Sequence, residues 1–245
     1  MQLNFAAREV SIKLVYYGPA LSGKTTNLRA LHGLTSAESR GRLMTLETRD
    51  DRTLFFDMLP LVFQTSAGLS LRVKVFTVPG QVIHGSTRRL VLQGADGVAF
   101  IADSQLTETE NNAASFLDLR ANMKDLGVRL RETPLVIQFN KRDLGSIRSD
   151  DEIAELARRG REPVFRASAV QGDGVLESFF GLLSLTWSKL DSEHQLARTL
   201  GIDASEFLPR AAEQLGYAGN VQTLLSTCVG GSLAFPKSPK SEPRP

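Results

Sequence analysis

Residues 18–25 read GPALSGKT, with two glycines five positions apart and Lys24 and Thr25 directly after the second one. Glycine lets a backbone approach an anion closely, so the successive N–H groups of such a loop can surround a phosphate. In this pattern the lysine reaches the outer phosphates and the threonine hydroxyl is offered to Mg²⁺. The stretch therefore predicts a binding loop for a nucleoside triphosphate.

The segments around this loop have the order strand, loop, helix, which a phosphate loop requires. The run SIKLVYY (11–17) precedes it, and the residues from Lys24 onward are compatible with a helix. Further along, TLFFDMLPLVF (53–63) and the alternating LSLRVKVFTV (69–78) flank a turn-like TSAG, which predicts an antiparallel pair.

Three short apolar runs follow and read as central parallel strands: GVAFIAD (97–103), PLVIQFN (134–140) and PVFRAS (163–168). Between and after them, apolar residues recur at helical spacing: Phe116, Leu119, Met123 and Leu126; Ile153 and Leu156; Val175, Phe179, Leu182 and Leu190. A capping box at 149–152 opens the second of these helices. The predicted class is α/β, with three layers and a mostly parallel central sheet that carries one antiparallel strand pair.

Composition excludes several classes of protein. The net charge is +2, and the C-terminal stretch alone accounts for it, so the totals show no basic footprint for nucleic acid. No signal peptide and no apolar run of roughly 18 residues is visible, which predicts no direct membrane insertion. The single cysteine, Cys228, suits a reducing compartment, so we expect a cytoplasmic protein.

The base is indicated by NKRD at 140–143, directly after a predicted buried strand. The Asp143 carboxylate can accept from the ring N–H and the exocyclic amine of guanine, a donor pair that adenine lacks on that edge. Asn140 can bond the purine or brace the loop, and the stem of Lys141 can cover the ring face. In the later ASAV (167–170), Ser168 and Ala169 form a turn that can offer an N–H to the guanine carbonyl. The sequence therefore favours GTP and GDP over ATP.

The third motif is TVPGQ (77–81), which ends a predicted strand. Gly80 can offer its N–H to the γ-phosphate, and Gln81 can orient an attacking water. The aspartate that usually opens this motif and holds Mg²⁺ through a water is here Thr77, which brings no negative charge.

A second Mg²⁺ ligand is expected within TLETRDDRTLFF (45–56), where spacing alone leaves Thr45, Thr48 and Thr53 open. Arg49 and Arg52 lie in the same stretch. Either could act as an internal arginine finger on the γ-phosphate, and the alternative is a solvated arginine on a loop.

Five stretches together resemble the MglA family of bacterial small Ras-like GTPases: VYYGPALSGKTTNL, DRTLFFD, TVPGQV, ADSQ and QFNKRDL. The resemblance covers about residues 1–190. It implies a Ras-like P-loop NTPase fold with a six- or seven-stranded sheet and switch loops, and in this family a threonine opens TVPG. It also implies that Thr53 is the switch-loop Mg²⁺ ligand, Arg52 the arginine finger and Gln81 the catalytic glutamine.

The resemblance further implies partners and a cellular role. These are a Roadblock-fold activating protein of the MglB type, effectors in polarity or motility, and recruitment to a cell pole. Typical members end near the last Ras-like helix, so this chain departs from them after residue 192. We expect a Ras-like GTP-binding domain at 1–192, a helical extension at 193–228 that docks on it, and a disordered Pro/Ser/Lys tail at 229–245.

The expected site has a catalytic set, a nucleotide-binding set and a metal set. The catalytic residues are Gln81, Arg52 and Lys24. The nucleotide-binding residues are Gly18, Leu21, Ser22, Gly23, Lys24, Thr25, Thr26, Gly80, Asn140, Lys141, Asp143, Ser168 and Ala169, and the Mg²⁺ ligands are Thr25 and Thr53.

The leading hypothesis is a GTPase switch that is slow without an activating partner. An alternative, motivated by Thr77, is a GTP-binding interaction module with negligible hydrolysis. A metabolic P-loop kinase is disfavoured, because the sequence has no lid-like arginine-rich insertion and because NKRD would have no role in such an enzyme.

Overall fold

The computed structural model describes residues 1–4, 8–46, 56–64, 68–79, 85–201, 204–217 and 220–226. Within these residues the strands are β1 (Gln2–Asn4), β2 (Glu9–Tyr17), β3 (Met44–Leu46), β4 (Phe56–Gln64), β5 (Ser70–Thr77), β6 (Gly97–Asp103), β7 (Leu135–Asn140) and β8 (Val164–Arg166). The α-helices are α1 (Lys24–Leu34), α2 (Gly85–Leu92), α3 (Thr109–Asp125), α4 (Asp150–Arg159), α5 (Val175–His194), α6 (Leu196–Leu200), α7 (Ala204–Gln214) and α8 (Val221–Ser226).

The strands form one sheet in the order β3-β4-β5-β2-β6-β7-β8, with β1 paired to β2. β2 pairs in parallel with β5 and β6, and β7 continues the parallel part to β8. The α/β prediction and its antiparallel pair, β4 with β5, are confirmed. Two short antiparallel pairings, β1 with β2 and β3 with β4, come in addition.

The eighth strand exceeds the six or seven that the family resemblance implies. β1 is three residues long and lies at the surface, with Leu3 39% exposed. Alternation of apolar and polar residues indicates a strand only over about four to eight residues, so a strand this short leaves no clear signal in the sequence.

Helices cover both faces of the sheet and give the expected three layers. On one face the core joins β2, β4 and β5 to α1 and α5, and on the other it joins β2, β6 and β7 to α2, α3 and α4. β6 lies between these layers and is buried along its whole length, as a central parallel strand should be.

The predicted helical stripes are largely correct. Leu119, Met123 and Ile153 are buried, and the capping box at Ser149 forms in both directions. Leu156 is an exception, because 42% of it is exposed and it lines a surface groove between α3 and α4. The buried face of α4 runs from Ile153 to Ala157, one turn later, so Leu156 lies beside this face and not on it.

Helices α6, α7 and α8 pack on the α1/α5 face. Phe207 contacts the ring of Trp187 on α5 with centroids 5.0 Å apart, and that of Phe63 on β4 at 6.1 Å. The Gln214 side chain exchanges hydrogen bonds with the backbone of Gln64 at the end of β4. Pro209 lies inside α7, which continues past it.

The parallel strands bring the sequence motifs to one edge of the sheet. Tyr16 is in register with Thr77, and Asp103 with Asn140, so the loops that follow these strands are neighbours. This is the edge at which open α/β sheets bind ligands. None of the helices formed by the described residues has the length and the apolar character that crossing a bilayer requires.

Candidate nucleotide-binding site

The predicted phosphate loop connects β2 to α1 and contains two glycines with positive φ angles. A Cβ atom at Gly18 (φ +148°) would lie 2.2 Å from the backbone oxygen of Ile101, and one at Gly23 (φ +94°) 2.2 Å from Asn140 Nδ2. Neither position has room for a side chain, so glycine is required at both. Helix α1 begins at Lys24, and its free N–H groups therefore face the loop.

The other loop residues differ in what they offer to a ligand. Leu21 has φ +60°, and its side chain is exposed to solvent. Ser22 is fully buried, and its carbonyl accepts a hydrogen bond from Asn140. Thr25 and Thr26 lie in the first turn of α1 and are half-buried.

Lys24 is buried at the centre of this loop. Its ammonium donates to the carbonyls of Gly18 at 3.0 Å and Pro19 at 2.6 Å. Burial, with a smaller contribution from the positive charge of Arg88, lowers the pKa of Lys24 to about 7. The loop thus holds a buried cationic group among neutral acceptors, an arrangement that an anionic ligand would stabilise.

The hydroxyl of Thr25 meets a carboxylate that the motif analysis missed. Thr25 Oγ1 donates to Asp57 Oδ2 at 2.6 Å, and Thr45 Oγ1 donates to Asp57 Oδ1 at 2.8 Å. Thr77 accepts the Asp57 backbone N–H at 2.9 Å and donates to Oδ2 at 3.3 Å. Asp57 of β4 therefore brings negative charge to the position where Thr77 of β5 lacks it.

A signal for Asp57 is present in the sequence. In β4 it occupies the same alternating inward position as Leu59, Leu61 and Phe63, and only 8% of it is exposed. A carboxylate in an inward register is costly unless it is paired or binds a metal, so the alternation in TLFFDMLPLVF marks it as functional. The hydroxyls that bond Asp57 come from other elements, Thr77 from β5 and Thr25 from α1, so this alternation does not identify them.

The predicted base-binding residues also come together. Asn140 Nδ2 donates to the carbonyl of Ser22 at 2.9 Å, and Asn140 Oδ1 accepts the Ala169 N–H at 3.0 Å. Of the two roles considered for Asn140, it has the bracing one here, and the Ala169 N–H expected to face guanine is directed at it. Ser168 Oγ donates to Asp143 Oδ1 at 2.6 Å, which fixes the exposed Asp143 carboxylate at the site. Lys141 stands between them, and its ammonium pairs with Asp103.

A buried amide connects the elements beneath the loop. Gln138 of β7 donates to Asn27 of α1 at 2.9 Å and to Ser178 of α5 at 2.7 Å. Asn27 in turn donates to the carbonyl of Gly23. The phosphate loop is therefore braced through side chains to both the sheet and α5.

A second polar cluster connects α2 to the strand before the loop. Arg88 of α2 pairs with Asp118 of α3, Nε to Oδ2 at 3.1 Å. Asp118 also accepts the hydroxyl of Tyr17, and Asn122 donates to that hydroxyl at 3.0 Å. Tyr17 directly precedes Gly18, so these contacts connect α2 and α3 to the residue before the predicted phosphate loop.

Several predicted residues fall outside the described part of the chain. These are Gly80, Gln81, Arg52 and Thr53, together with the open alternatives Thr48 and Arg49. Thr45, the remaining alternative for the Mg²⁺ ligand, is described and donates to Asp57.

No protein-family model matches the chain. Among curated proteins, the "Mutual gliding-motility protein MglA" of Myxococcus xanthus (strain DK1622) is 42% identical over 188 residues. These residues make up 77% of this chain and 96% of that protein. The chain belongs to the MglA family. This MglA-family chain is therefore longer than the M. xanthus protein, and almost a quarter of it has no counterpart in the match.

Proposed function

We propose that this MglA-family protein is a Mg²⁺-dependent GTPase switch, which binds GTP and GDP and hydrolyses GTP slowly without a partner. The observation that carries the proposal is the meeting of the Thr25 hydroxyl and the Asp57 carboxylate beside the phosphate loop. This arrangement places two oxygen ligands for a nucleotide-bound Mg²⁺ beside the buried Lys24, whose charge can neutralise a phosphate.

The residues present fit Mg²⁺. Thr25, Asp57 and Thr45 offer hydroxyl and carboxylate oxygens, the hard ligands that this ion prefers, and one or two protein carboxylates plus substrate phosphates are its usual set. Among the described residues no group of three or more His, Cys, Asp or Glu could form a protein-only metal cage. We propose that Thr25 and Asp57 hold the ion, with Thr53 as a further ligand by resemblance. When bound, Mg²⁺ would neutralise charge on the phosphates.

The protein's own groups would bind and orient the nucleotide. Lys24 would neutralise the outer phosphates, and the N-terminal N–H groups of α1 would receive phosphate oxygens. Asp143, fixed by Ser168, would accept from the guanine ring N–H and amine. An adenine base would leave the Asp143 carboxylate without this pair of donors, which supports GTP as the ligand.

The hydrolytic step is proposed from the family resemblance. Gln81 would orient the attacking water and Gly80 would bond the γ-phosphate, while Arg52 would reach the charge that develops in the transition state. The loops at 45–56 and 77–86 would be ordered by GTP and released after hydrolysis. The coupling of α2 to Tyr17 through Arg88 and Asp118 supports a mechanical connection between the second loop and the phosphates.

The cellular role is proposed from the relative's name, which assigns that protein to gliding motility. We propose a role in polarity or motility in the cytoplasm of a bacterium, with recruitment to a pole. The partners would be a Roadblock-fold activator of the MglB type and motility effectors. We further propose that residues 1–192 carry the nucleotide site and that the extension at 193–228 braces it, while the tail predicted at 229–245 lies outside the described residues.

The alternative, a module that binds GTP without hydrolysis, was motivated by the uncharged Thr77. Asp57 supplies a carboxylate within 3.3 Å of that hydroxyl, so the reason for this alternative is weakened.

The test is phosphate release from Mg²⁺-GTP by the purified protein and by Gln81→Ala. We expect slow release that falls at least about a hundredfold in the variant, because water would no longer be oriented. Gln93→Ala is the matched control, since Gln93 is an exposed glutamine at the end of α2. Tight binding of GTP without release, with or without a Roadblock-fold protein, would contradict the proposal.

A further inference from the structure

The motif ADSQ (102–105) lies at the end of β6 and contains a buried carboxylate that none of the roles above uses. Asp103 is in register with Asn140 on β7, and its side chain is only 3% exposed. Asp103 Oδ2 lies 2.6 Å from the ammonium of Lys141, and Asp103 Oδ1 accepts the backbone N–H of Gln105 at 3.0 Å.

The backbone of Asp103 is held by a third element. Asn112 of α3 accepts the Asp103 N–H at 2.9 Å and donates to the Asp103 carbonyl at 2.8 Å. Both the main chain and the carboxylate of Asp103 are therefore fixed independently of Lys141. The carboxylate of Asp103 is therefore held in place, and it can position the long side chain of Lys141.

Lys141 is constrained at both of its ends. Its backbone has φ +66°, a left-handed conformation that non-glycine residues rarely adopt, and its ammonium is drawn to Asp103. The side chain is 25% exposed, so without the anchor it is free to move into solvent. Asn140 before it and Asp143 after it are the groups that frame the base site.

We propose that Asp103 is a positioning residue for the guanine base, which holds the ammonium of Lys141 so that the aliphatic stem covers the face of the ring. The inference rests on the proposed function, since it presupposes that a guanine nucleotide occupies the site. Apolar stems of lysine readily cover flat surfaces while their charge is bound elsewhere. Asp103 acts through Lys141 and does not touch the base edge, which is left to Asp143.

The test is a double-mutant cycle on the release of mant-GDP, a fluorescent nucleotide, from the full-length protein. The variants are Asp103→Asn, Lys141→Met and the double variant. Asparagine keeps the shape and the acceptor for Gln105, and methionine keeps an unbranched apolar stem. We expect each single variant to release mant-GDP about tenfold faster, and the double variant no faster than Lys141→Met, because residues in one ion pair couple.

Glu9→Gln is the matched control, since Glu9 pairs with Arg72 at 2.8 Å at the opposite end of the sheet, and we expect unchanged release. A second readout separates positioning from general loosening of the fold. The ratio of the affinities for GDP and IDP should stay unchanged in Asp103→Asn, because IDP differs only in the exocyclic amine that Asp143 reads. In Asp143→Asn this ratio should fall.

Unchanged release in Asp103→Asn, or effects of the two substitutions that multiply in the double variant, would overturn the assignment. A changed ratio of GDP to IDP affinity in Asp103→Asn would do so as well. A wild-type protein that retains no mant-GDP would refute the proposed function itself, and the inference with it, so the two failures are distinguishable.

Discussion

Binding of GDP should be accompanied by the uptake of a proton at Lys24 in mildly alkaline solution. Without ligand, burial lowers the pKa of Lys24 to about 7 from the ordinary 10.5. A bound phosphate would stabilise the ammonium and return the pKa toward or above its ordinary value. At pH 8, one unit above the pKa of the free site, about a tenth of Lys24 is protonated, so binding should take up about 0.9 proton.

The assay is calorimetric titration of the nucleotide-free protein with Mg²⁺-GDP at pH 8 in Tris and in Hepes. These buffers differ in their ionisation enthalpies, so the difference between the measured heats gives the number of protons. The β-phosphate of GDP is almost fully ionised at this pH and contributes little. At pH 6, where most of Lys24 is already protonated, uptake at this residue should fall to about 0.1 proton.

The same linkage predicts how affinity and stability depend on pH. The dissociation constant should rise up to about tenfold per unit above pH 7, because the free site must first bind a proton. Conversely, the ligand-free protein should become more stable as the pH rises from about 7 to 10.5, because over this range the unfolded lysine binds a proton that the folded one does not. Heats at pH 8 that do not depend on the buffer would refute the argument from burial.

Three further substitutions test the site and the extension. Asp57→Asn should raise, by about 10- to 100-fold, the Mg²⁺ concentration at which the slowing of GDP release is half-maximal. A dependence of GDP release on Mg²⁺ like that of the wild type would exclude Asp57 from the metal site. Gly23→Ala should yield purified protein that carries no bound nucleotide, because the new Cβ would lie 2.2 Å from Asn140 Nδ2. Chromatography of the nucleotides released on denaturation measures this, and one bound nucleotide per protein molecule would contradict it. Phe207→Ala should lower the free energy of unfolding by about 3–5 kcal/mol, since the ring is buried against Trp187. Urea denaturation measures this loss, and a loss below about 1 kcal/mol would mean that the extension packs only loosely.

Much of the fold was predictable because its signals are local. The β6 run is apolar and buried at consecutive positions, and the stripe of α3 recurs every three or four residues, so both could be found from neighbouring residues alone. These signals failed where an element is short or where its apolar pattern does not match its buried face. β1 has only three residues, too few for a recognisable alternation, and Leu156 continues a stripe in the sequence although it lies at the surface.

The candidate site was predictable in its motifs and not in its bridging contacts. The phosphate loop and NKRD are recognisable because consecutive residues carry the chemistry, and the family resemblance follows from the same stretches. Asn140 could be read as a ligand of the base or as a brace, and sequence alone left both open. The structure directs its two amide atoms to Ser22 and Ala169, which are far from it along the chain.

The sequence by itself determined the mostly parallel α/β sheet and predicted a phosphate loop and a guanine-binding motif, because each of these rests on neighbouring residues with recognisable spacing. Only the tertiary structure decided where the missing carboxylate comes from. Asp57 and Thr25 are 32 residues apart, and they meet because β4 is antiparallel to β5: the start of β4, with Asp57, lies beside the end of β5 at Thr77, at the edge where α1 begins. Contacts of this kind depend on the register of strands and on the packing of a helix against them, and no local pattern encodes either.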